Sequence, residues 1–390
     1  MQITDLTLFL VSLESRREHR WANLKQKVGS YVLCRIESDA GVLGWGEATA
    51  LGSWGGDFDR YYGETPDSVW YVLTRLIAPA VLGQEFSDRH EILARSRSAV
   101  RGHPYAKTAF ECAVLDLIGR TNGVPVYELL GGRRRDRVPL AHSIGLMPID
   151  AAAQESVQVV EGGIRSIKLK VGEDPERDVR LVERVRKAVG PDVSIFVDAN
   201  QGWQTARQAR PIVDRISEYG VRYVEQPVEG LRELEALAGR VSVPIMADES
   251  MWTARDMADI ALGGSVALAS VYTCKAGGLD GALAADAVAA AFGIGTNVNG
   301  SGETGVGNLA NLHLAATMRS LSEACVIPIS QRADDITSHI AGRMYTDDVL
   351  IHSMVAENGD LLVPEGPGWG MDVDMAKIEQ LSARSESVAA

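Results

Sequence analysis

The sequence predicts an α/β protein in which an α+β domain precedes a (β/α)8 barrel of the TIM type. Strand-like alternation followed by helical periodicity fills the N-terminal third of the chain, and this order is typical of an α+β domain. Eight short β-branched runs follow, and each is succeeded by a helix-length amphipathic stretch, as in a parallel barrel. An open doubly wound sheet is the alternative, but no GxGxxG motif follows the early strands.

The N-terminal domain is assigned to residues 1–130. Residues 3–13 and the segment YVLCRIESDAGVLGWGEAT alternate like strands, and Asp39-Ala40-Gly41 supplies turn residues within that segment. From about residue 65 to residue 132, apolar side chains recur at helical spacing, and the stretch ends in LLGG, where a glycine is expected at the end of a helix.

The barrel is assigned to residues 131–340. Its eight predicted strands, in chain order, are VPLAHSI, SIKLKV, SIFVDAN, RYVEQP, PIMADES, VALASVY, GTNVN and CVIPIS. A C-terminal segment, residues 341–390, is rich in turn residues, contains one weak helix, and is expected to pack back on the N-terminal domain. Its last residues, LSARSESVAA, are expected to be frayed.

The composition favours an acidic globular protein and argues against a nucleic-acid-binding protein. Lys and Arg total 39 against 52 Asp and Glu, which gives a net charge of −13, whereas nucleic-acid binders are usually basic. The four cysteines form no CxxC pair, so we expect neither a disulfide framework nor a thiolate zinc site, and a reducing, cytoplasmic location fits best. We expect no signal peptide and no membrane span.

Polar side chains recur where the predicted barrel strands end. Lys170 ends the second strand, and the ends of the next five strands follow at steps of 28, 27, 23, 24 and 27 residues: Asp198, Glu225, Asp248, Tyr272 and Asn299. One βα repeat has about this length, and the carboxyl ends of parallel barrel strands meet at one mouth. These side chains are therefore expected to converge on one site.

Three carboxylates that converge from successive strands require a cation between them, because negative charges at such short distances repel each other. An all-oxygen set with room for water and substrate oxygens suits Mg²⁺, with Mn²⁺ or Ca²⁺ as alternatives. A single strand-ending Asp or Glu is more often a helix cap or a solvated loop residue. Asp198, Glu225 and Asp248 end three apolar strands in succession, and this favours a metal site.

Lys168 and Lys170 lie two residues apart, so their side chains point to the same face of the second strand. Buried ammonium groups need carboxylate partners, and two ammonium groups close together lower each other's pKa. A lysine with a lowered pKa can act as a base near neutral pH. The sequence thus predicts an acid/base lysine beside the metal site.

The motifs along the chain resemble those of the enolase superfamily, in its muconate-lactonising and mandelate racemase-like branch. In order, they are GWGEAT, AFECAVLDLIGRTNGVPVYELLGG, KLK, VDAN, VEQP, ADES, KAGG and GETGVG. Each motif alone is weakly specific, but their order and spacing over nearly the whole chain are highly specific. The resemblance implies a modified (β/α)8 TIM-type barrel, an N-terminal domain that caps it, and a homo-oligomer.

The resemblance also implies roles for individual residues. The Mg²⁺ ligands would be Asp198, Glu225 and Asp248. Lys170 would be the acid/base, and Lys168 would position or tune it. Glu249 competes with Asp248 as a ligand, but strand alternation lets only one face inward, and the ADES motif favours Asp248. A substrate carboxylate on the metal would carry the charge of an enolate while Lys170 removes or returns the adjacent proton.

The chain departs from the family pattern on the sixth strand. Lysine-type members carry a second lysine there, but counting back from KAGG that position is Tyr272, and Lys275 follows three residues later. Mandelate racemase-like members use a histidine near the seventh strand, and TNVNGSGE contains none. Chemistry on one face of the substrate is therefore favoured: lactone closure or opening, or syn elimination of water. Tyr272 would be a weak acid or a packing residue.

We therefore predict a Mg²⁺-dependent lyase or cycloisomerase that acts on a small carboxylic acid, such as a dicarboxylate of the muconate kind. A racemase, epimerase or acid-sugar dehydratase is the alternative, in which Lys275, Tyr272 or a histidine such as His142 or His103 completes the pair of bases. A non-catalytic metal-binding homologue is a third possibility, which the retained Lys170 and carboxylates disfavour.

Two loops of the N-terminal domain would select the substrate, residues 14–30 and 50–64. The first loop is basic although the protein is acidic, with Arg16, Arg17, His19, Arg20, Lys25 and Lys27. Inward-facing guanidinium groups would bind a second carboxylate, whereas outward-facing ones would form an ordinary solvated surface. Flat surface comes from Trp21, Trp54, Tyr61 and Tyr62. The candidate substrate-binding residues are Arg20, Trp21, Trp54, Asn200, Lys275, Asn299 and Glu303.

Overall fold

The computed structural model of the chain describes residues 1–390 except 23, 25–27, 55, 58–59, 62, 330 and 334–341. It confirms the predicted α/β class, because an antiparallel α+β domain is followed by a curled parallel sheet of βα repeats. Apolar side chains fill two large cores, one around the barrel strands and one between the N-terminal sheet and its helices. None of the described helices combines the length and the apolar character that crossing a membrane requires.

The N-terminal domain consists of three antiparallel strands and a layer of helices. The strands are β1 (Ile3–Ser12), β2 (Ser30–Ser38) and β3 (Leu43–Ala48). The helices are α1 (Pro66–Tyr71), a π-helix (Val72–Ile77), α2 (Ala78–Val81), α3 (Arg89–Ala99), α4 (Pro104–Asn122) and α5 (Val126–Leu129). Helix α4 packs closely on β3 because GWGEAT contains glycines: a Cβ atom on Gly46 would lie 2.0 Å from the Ala109 carbonyl oxygen.

A short strand, β4 (Arg137–Pro139), leads into the barrel. The barrel strands are β5 (Ala141–Ile144), β6 (Ser166–Lys170), β7 (Ser194–Asp198), β8 (Val224–Glu225), β9 (Ile245–Ala247), β10 (Leu268–Val271) and β11 (Gly295–Val298). The helices that follow them are α6 (Ile149–Glu161), α7 (Pro175–Val189), α8 (Ala206–Ser217), α9 (Leu231–Ala238), α10 (Ala254–Gly263), α11 (Leu279–Phe292) and α12 (Gly305–Thr317). Side chains of Asp174, Thr205 and Thr253 accept hydrogen bonds from the first turns of α7, α8 and α10, and these caps fix where the preceding loops end.

The seven parallel strands pair in chain order from β5 to β11, and Cys325 and Val326 take the eighth position. Leu140 forms a bridge with Cys325 beside β5, and Asn299 forms one with Val326 beside β11. The eighth strand is thus reduced to single bridges, which nevertheless join the two edges of the sheet. In a ring of eight positions, the second and sixth strands, β6 and β10, face each other across the centre.

The C-terminal segment returns to the N-terminal domain. Strands β12 (Ala356–Glu357) and β13 (Asp360–Leu362) form a hairpin, and β13 pairs with β4. Helix α13 (Met375–Leu381) and strand β14 (Ser382–Ala389) follow, and β14 pairs with β1 from Asp5 to Val11. The expectation of a frayed tail is wrong, because backbone hydrogen bonds to β1 make this polar segment the fourth strand of the N-terminal sheet.

Candidate active site

Strand alternation directs three carboxylates into the barrel. The apolar floor of the barrel includes Phe196, Tyr223 and Met246. Two residues further along the same strands are Asp198, Glu225 and Asp248. Successive side chains of a strand point to opposite faces, so residues two apart share the inward face. The three carboxylates are consequently buried at the carboxyl ends of β7, β8 and β9.

We call Asp198, Glu225 and Asp248 the acidic triad. One carboxylate oxygen of each lies within 4.8 Å of the others. Glu225 Oε2 is buried without a hydrogen-bond partner among the residues that the structure describes. Burial, opposed by Lys168 and reinforced by Asp198, raises the pKa of Glu225 to about 8. An orphaned buried oxygen in an all-oxygen donor set fits a divalent cation.

Two lysines of β6 lie against the acidic triad. Lys168 Nζ lies 2.8 Å from Glu225 Oε1 and 2.9 Å from Asp198 Oδ2. Lys170 Nζ donates to Asp198 Oδ2 at 2.6 Å and to Asn200 Oδ1 at 2.7 Å. An ammonium group has three N–H donors, so Lys170 keeps one N–H beyond these two partners within the described part of the chain.

The pKa of Lys168 is raised, whereas the sequence predicted that it would be lowered. Burial lowers the pKa of Lys168, but Asp198 and Glu225 outweigh burial and raise it above its ordinary value. The predicted depression is wrong for this lysine, because attraction to two carboxylates exceeds repulsion between the ammonium groups. The same attraction acts on the carboxylate: although burial opposes it, Lys168 and Lys170 lower the pKa of Asp198 to about 2.

Glu249, the rival of Asp248 as a metal ligand, is not one of the three grouped carboxylates. Its Oε1 accepts a hydrogen bond from Asn200 Nδ2 at 2.9 Å. Burial and the charge of Asp248 raise the pKa of Glu249 well above its usual range. Asn200 therefore connects Glu249 to Lys170, and it lies on the lysine side of the site.

Tyr272, directly after β10, forms the wall opposite β6. Its hydroxyl donates to Asp248 Oδ2 at 3.1 Å, and burial with nearby carboxylates raises its pKa well above the usual value. Lys275 lies behind this wall, with Nζ 4.2 Å from the centre of the Tyr272 ring. It donates to Asp248 Oδ1 at 2.6 Å, to the Asp248 carbonyl at 2.9 Å and to the Ser270 carbonyl at 2.8 Å. All three N–H donors of Lys275 are thus used.

One cavity opens above these residues at the barrel mouth. Its lining from the barrel includes Lys168, Lys170, Asn200 and Tyr272, whereas Lys275 is not among the described lining residues. Two tryptophans of the N-terminal domain complete it. Trp21 lies over Lys170, with Nζ 5.4 Å from a ring centre, and the Trp54 ring lies 5.5 Å from the Tyr272 ring. Both domains therefore contribute to the same site.

The loop of residues 14–30 turns two arginines toward the cavity and one away from it. Arg16 and Arg17 line the cavity, and both bind Glu155, at 3.0 and 2.7 Å. Arg20, the expected substrate contact, instead pairs with Glu173 at 3.5 Å, with half of its side chain exposed. It is absent from the described cavity lining. The candidates Lys25, Lys27 and Tyr62 lie outside the described residues.

The two histidines considered from the sequence occupy different places. His142, on β5, lines the cavity, and its Nε2 lies 2.8 Å from Glu155 Oε1 while its Nδ1 accepts from Gly342 N at 2.9 Å. Burial lowers the pKa of His142, and β5 neighbours β6, so this ring lies on the lysine side. His103 lies 3.5 Å from Glu64 in the N-terminal domain and is not in the described lining.

The remaining candidates after the seventh strand support the site from behind. Asn299 Nδ2 donates to Glu225 Oε1 at 3.2 Å, and Asn299 Oδ1 accepts from Val326 N at 3.1 Å. Glu303 is buried and accepts from Ser301 N at 3.0 Å. Neither Asn299 nor Glu303 belongs to the described cavity lining, which at this point consists of residues 300–302.

Comparison with known proteins agrees with this arrangement. Residues 4–131 match the family model described as mandelate racemase / muconate lactonizing enzyme, N-terminal domain. Residues 150–377 match the one described as enolase C-terminal domain-like. Muconate cycloisomerase 1 of Acinetobacter baylyi is 30% identical over 377 residues, which cover 95% of this chain and 97% of that relative.

Two further relatives cover nearly the whole chain. N-succinyl-L-Arg/Lys racemase of Bacillus cereus is 26% identical over 395 aligned residues and covers 100% of both proteins. The crystal structure of 2-chloromuconate cycloisomerase from Rhodococcus opacus has a TM-score of 0.88 at 28% identity, over 98% of this chain and 100% of that one. The chain therefore belongs to the enolase superfamily, as an enzyme of its mandelate racemase and muconate lactonizing enzyme branch.

Proposed function

We propose that this enzyme is a Mg²⁺-dependent lyase or cycloisomerase that moves a proton next to the carboxylate of a small carboxylic acid. The asymmetry of the cavity carries this proposal. Lys170 reaches the cavity on one side with an N–H to spare, whereas the opposite side presents the Tyr272 hydroxyl, which already donates to Asp248. Proton transfer on one face of a substrate needs a single acid/base, and Lys170 supplies it.

The acidic triad would hold the magnesium ion, and Mn²⁺ would meet the same oxygen ligands. Enzymes of this superfamily pair a lysine or histidine base with a divalent metal. When bound, the ion supplies positive charge where an enolate develops from the substrate carboxylate. The orphaned Glu225 Oε2 supports this assignment.

The side chains around Lys170 would control the proton. As the neutral amine, Lys170 Nζ would take the proton from the carbon next to the carboxylate, and as the ammonium group it would return that proton. Asp198 and Asn200 hold this nitrogen in place through bonds of 2.6 and 2.7 Å. Trp21 covers it from the cavity side, which limits access of water. Lys168 would keep positive charge beside the carboxylates throughout.

A racemase or epimerase is the second candidate, and the name of the Bacillus cereus relative favours it. Such a reaction needs a proton carrier on the face opposite Lys170. Tyr272 is the cavity-lining side chain at that position, so its hydroxyl would have to exchange protons with the substrate while it is bound to Asp248. The stereochemistry of proton exchange separates the two candidates.

We also propose that residues 1–130 cap a barrel formed by residues 131–340 and that residues 341–390 pack back on this capping domain. The positions of Trp21 and Trp54 in the cavity and the pairing of β14 with β1 support this division. The ligand would be a small carboxylate, and assembly into a homo-oligomer follows the family resemblance.

Incubation in D₂O with Mg²⁺ and a panel of carboxylic acids, followed by NMR, tests the proposed function. The panel contains lactone acids, N-succinyl amino acids and dipeptides. We expect deuterium to enter next to the carboxylate of at least one acid, to stop entering when EDTA removes the metal, and to enter again when Mg²⁺ is restored. Exchange that persists in EDTA would contradict the metal assignment, and an absence of exchange with every acid would contradict the function.

A further inference from the structure

We infer that Arg16 binds a second carboxylate of the substrate, at the end away from the metal, and that Glu155 positions Arg16 for this contact. The inference rests on the proposed function and extends it to the far end of the ligand. The charged side chains in the described cavity lining are all positive: five are cationic, and none is a carboxylate. The five are Arg16, Arg17, Lys168, Lys170 and Arg343.

Arg17 is fully engaged within the protein. Its Nε and Nη2 donate to the Glu155 carboxylate at 2.8 and 2.7 Å, and Nη2 also donates to the Ser143 carbonyl at 3.2 Å. Its Nη1 lies 3.3 Å from both the Glu18 carbonyl and His19 Nδ1. The five N–H donors of this guanidinium group therefore have partners. Arg17 supports the wall and has no donor left for a ligand.

Arg16 keeps donors available. Its Nη2 donates to Glu155 Oε1 at 3.0 Å, and its Nε donates to the Arg343 carbonyl at 3.4 Å. Its Nη1 makes no hydrogen bond to any residue that the structure describes. The backbone N–H of Arg16 donates to the Met344 carbonyl at 2.9 Å, so the loop holds the side chain at the cavity. A guanidinium group with free N–H donors matches the geometry of a carboxylate.

Glu155 lies behind this wall and sets its charge. It is 7% exposed and accepts hydrogen bonds from Arg16, Arg17 and His142. His142 Nδ1 accepts from Gly342 N, so this ring is neutral and donates through Nε2. The guanidinium charges of Arg16 and Arg17 against the one Glu155 carboxylate leave one positive charge, and Arg343 adds another cation to the lining. A carboxylate of the ligand would balance that charge, because no carboxylate in the described lining does so.

The same charge pattern argues against a ligand with a free ammonium group at this end. Such a group would lie beside Arg16 and would find no acidic side chain among the described lining residues. Like charges at close range are unfavourable. The cavity therefore selects a dicarboxylate over a monocarboxylate and over an acid that carries an amine.

Calorimetric titration of the Mg²⁺-loaded protein with adipate and with hexanoate tests this inference. The two probes have the same carbon chain and differ in the second carboxylate. We expect the wild-type protein to bind adipate at least about tenfold more tightly than hexanoate, which is the lower end for a charge-assisted hydrogen bond.

Arg16→Gln should remove the preference for adipate. Arg16→Lys should keep part of it, because the positive charge remains but the paired N–H donors of the guanidinium group are lost. Glu155→Gln should weaken the preference if Glu155 positions Arg16, although this change makes the wall more positive. Arg215→Gln, which alters an exposed arginine paired with Glu176 on the outside of the barrel, should leave the preference unchanged.

Equal binding of adipate and hexanoate by the wild-type protein would overturn the inference, and so would a preference for adipate that survives Arg16→Gln. The proposed function fails separately, by an absence of proton exchange in D₂O. A preference for adipate without proton exchange would support the carboxylate site at Arg16 and contradict the proposed reaction. Proton exchange without a preference for adipate would support the reaction and contradict the carboxylate site. Thermal unfolding of each variant confirms that it is folded before titration.

Discussion

Lys170 and Lys275 lie on opposite sides of one site, and each holds a carboxylate of the acidic triad at 2.6 Å. Their surroundings differ. Lys275 is enclosed and gives all three N–H donors to Asp248 and Ser270. Lys170 gives two, to Asp198 and Asn200, and reaches the cavity. The same residue type with the same ionic contact is thus structural on one wall and available for chemistry on the other.

Access to the cavity and a spare N–H donor, more than charge, therefore distinguish the proposed reactive lysine from the structural one. Lys170 ends β6 on the inward face of the strand, beside the substrate space. Lys275 belongs to the turn after β10 and reaches back to the Asp248 carbonyl and carboxylate. Tyr272 takes the position that faces Lys170. If this contrast is correct, mutation of the two lysines should have different kinds of effect.

Replacement of Lys170 should give the largest effect. Lys170→Met removes the proposed acid/base, so we expect the rate of α-proton exchange to fall by about 10²–10⁴-fold, the usual contribution of such a group. NMR-monitored exchange measures this, with Lys187→Met as the control because Lys187 lies exposed on α7. Activity of Lys170→Met within twofold of the wild-type protein would remove Lys170 from the reaction.

Replacement of Lys275 should act mainly on stability. Lys275→Met leaves Asp248 and the Ser270 carbonyl buried without their cation, and breaking a buried pair in this way costs about 3–5 kcal/mol. Urea unfolding of the metal-free protein should show a lower midpoint for Lys275→Met than for Lys170→Met, since Asp198 keeps Lys168 as an ionic partner when Lys170 is replaced. Equal midpoints for the two variants would contradict the distinction between the walls.

A buried histidine that is not in the described cavity lining gives a prediction for the pH dependence of stability. His313 lies between Tyr127 and Trp369, and burial lowers its pKa to about 4. The unfolded chain binds a proton near pH 6.5, so stability is complete above that pH and falls as the pH drops toward 4, by about 3 kcal/mol from this group. Between pH 7.5 and pH 5, urea unfolding should show about 2 kcal/mol of this loss, and His313→Gln should reduce it. His90→Gln, at an exposed site, should not; an equal pH dependence in both variants would contradict the assignment.

Removal of the Tyr272 hydroxyl should have the smallest effect. Tyr272→Phe removes one hydrogen bond to Asp248, worth about 1 kcal/mol, so we expect the exchange rate to change by less than about tenfold. Tyr71→Phe, at an exposed ring, is the control. A loss as large as that of Lys170→Met would show that Tyr272 carries a proton and would favour the racemase.

The sequence predicted the parts of the site that depend on strand periodicity. Asp198, Glu225 and Asp248 each follow an inward-facing apolar residue by two positions, and the βα repeat brings the strand ends together. Lys168 and Lys170 obey the same alternation. Period and repeat length are local properties of the chain, so they are visible without knowledge of tertiary contacts.

The sequence did not predict the parts that depend on loops and distant pairing. Nothing periodic in residues 14–30 indicates that Arg16 and Arg17 face the cavity while Arg20 faces Glu173. The choice is made by Glu155, which lies more than 130 residues away in the chain. Strand β14 is polar and follows a helix, and its partner β1 is at the other end of the sequence. Backbone pairing over such a distance leaves no local signal.

The configuration of the carbon that exchanges its proton shows whether Lys170 is the single proton carrier. A single enantiomer of the panel acid that exchanges is incubated in D₂O with the Mg²⁺-loaded protein, and chiral chromatography with mass spectrometry reads deuterium content and configuration together. We predict that deuterium enters with retention, because Lys170 removes and returns the proton on one face. Deuterium in the inverted enantiomer would show a second proton carrier opposite Lys170 and would contradict proton transfer on one face.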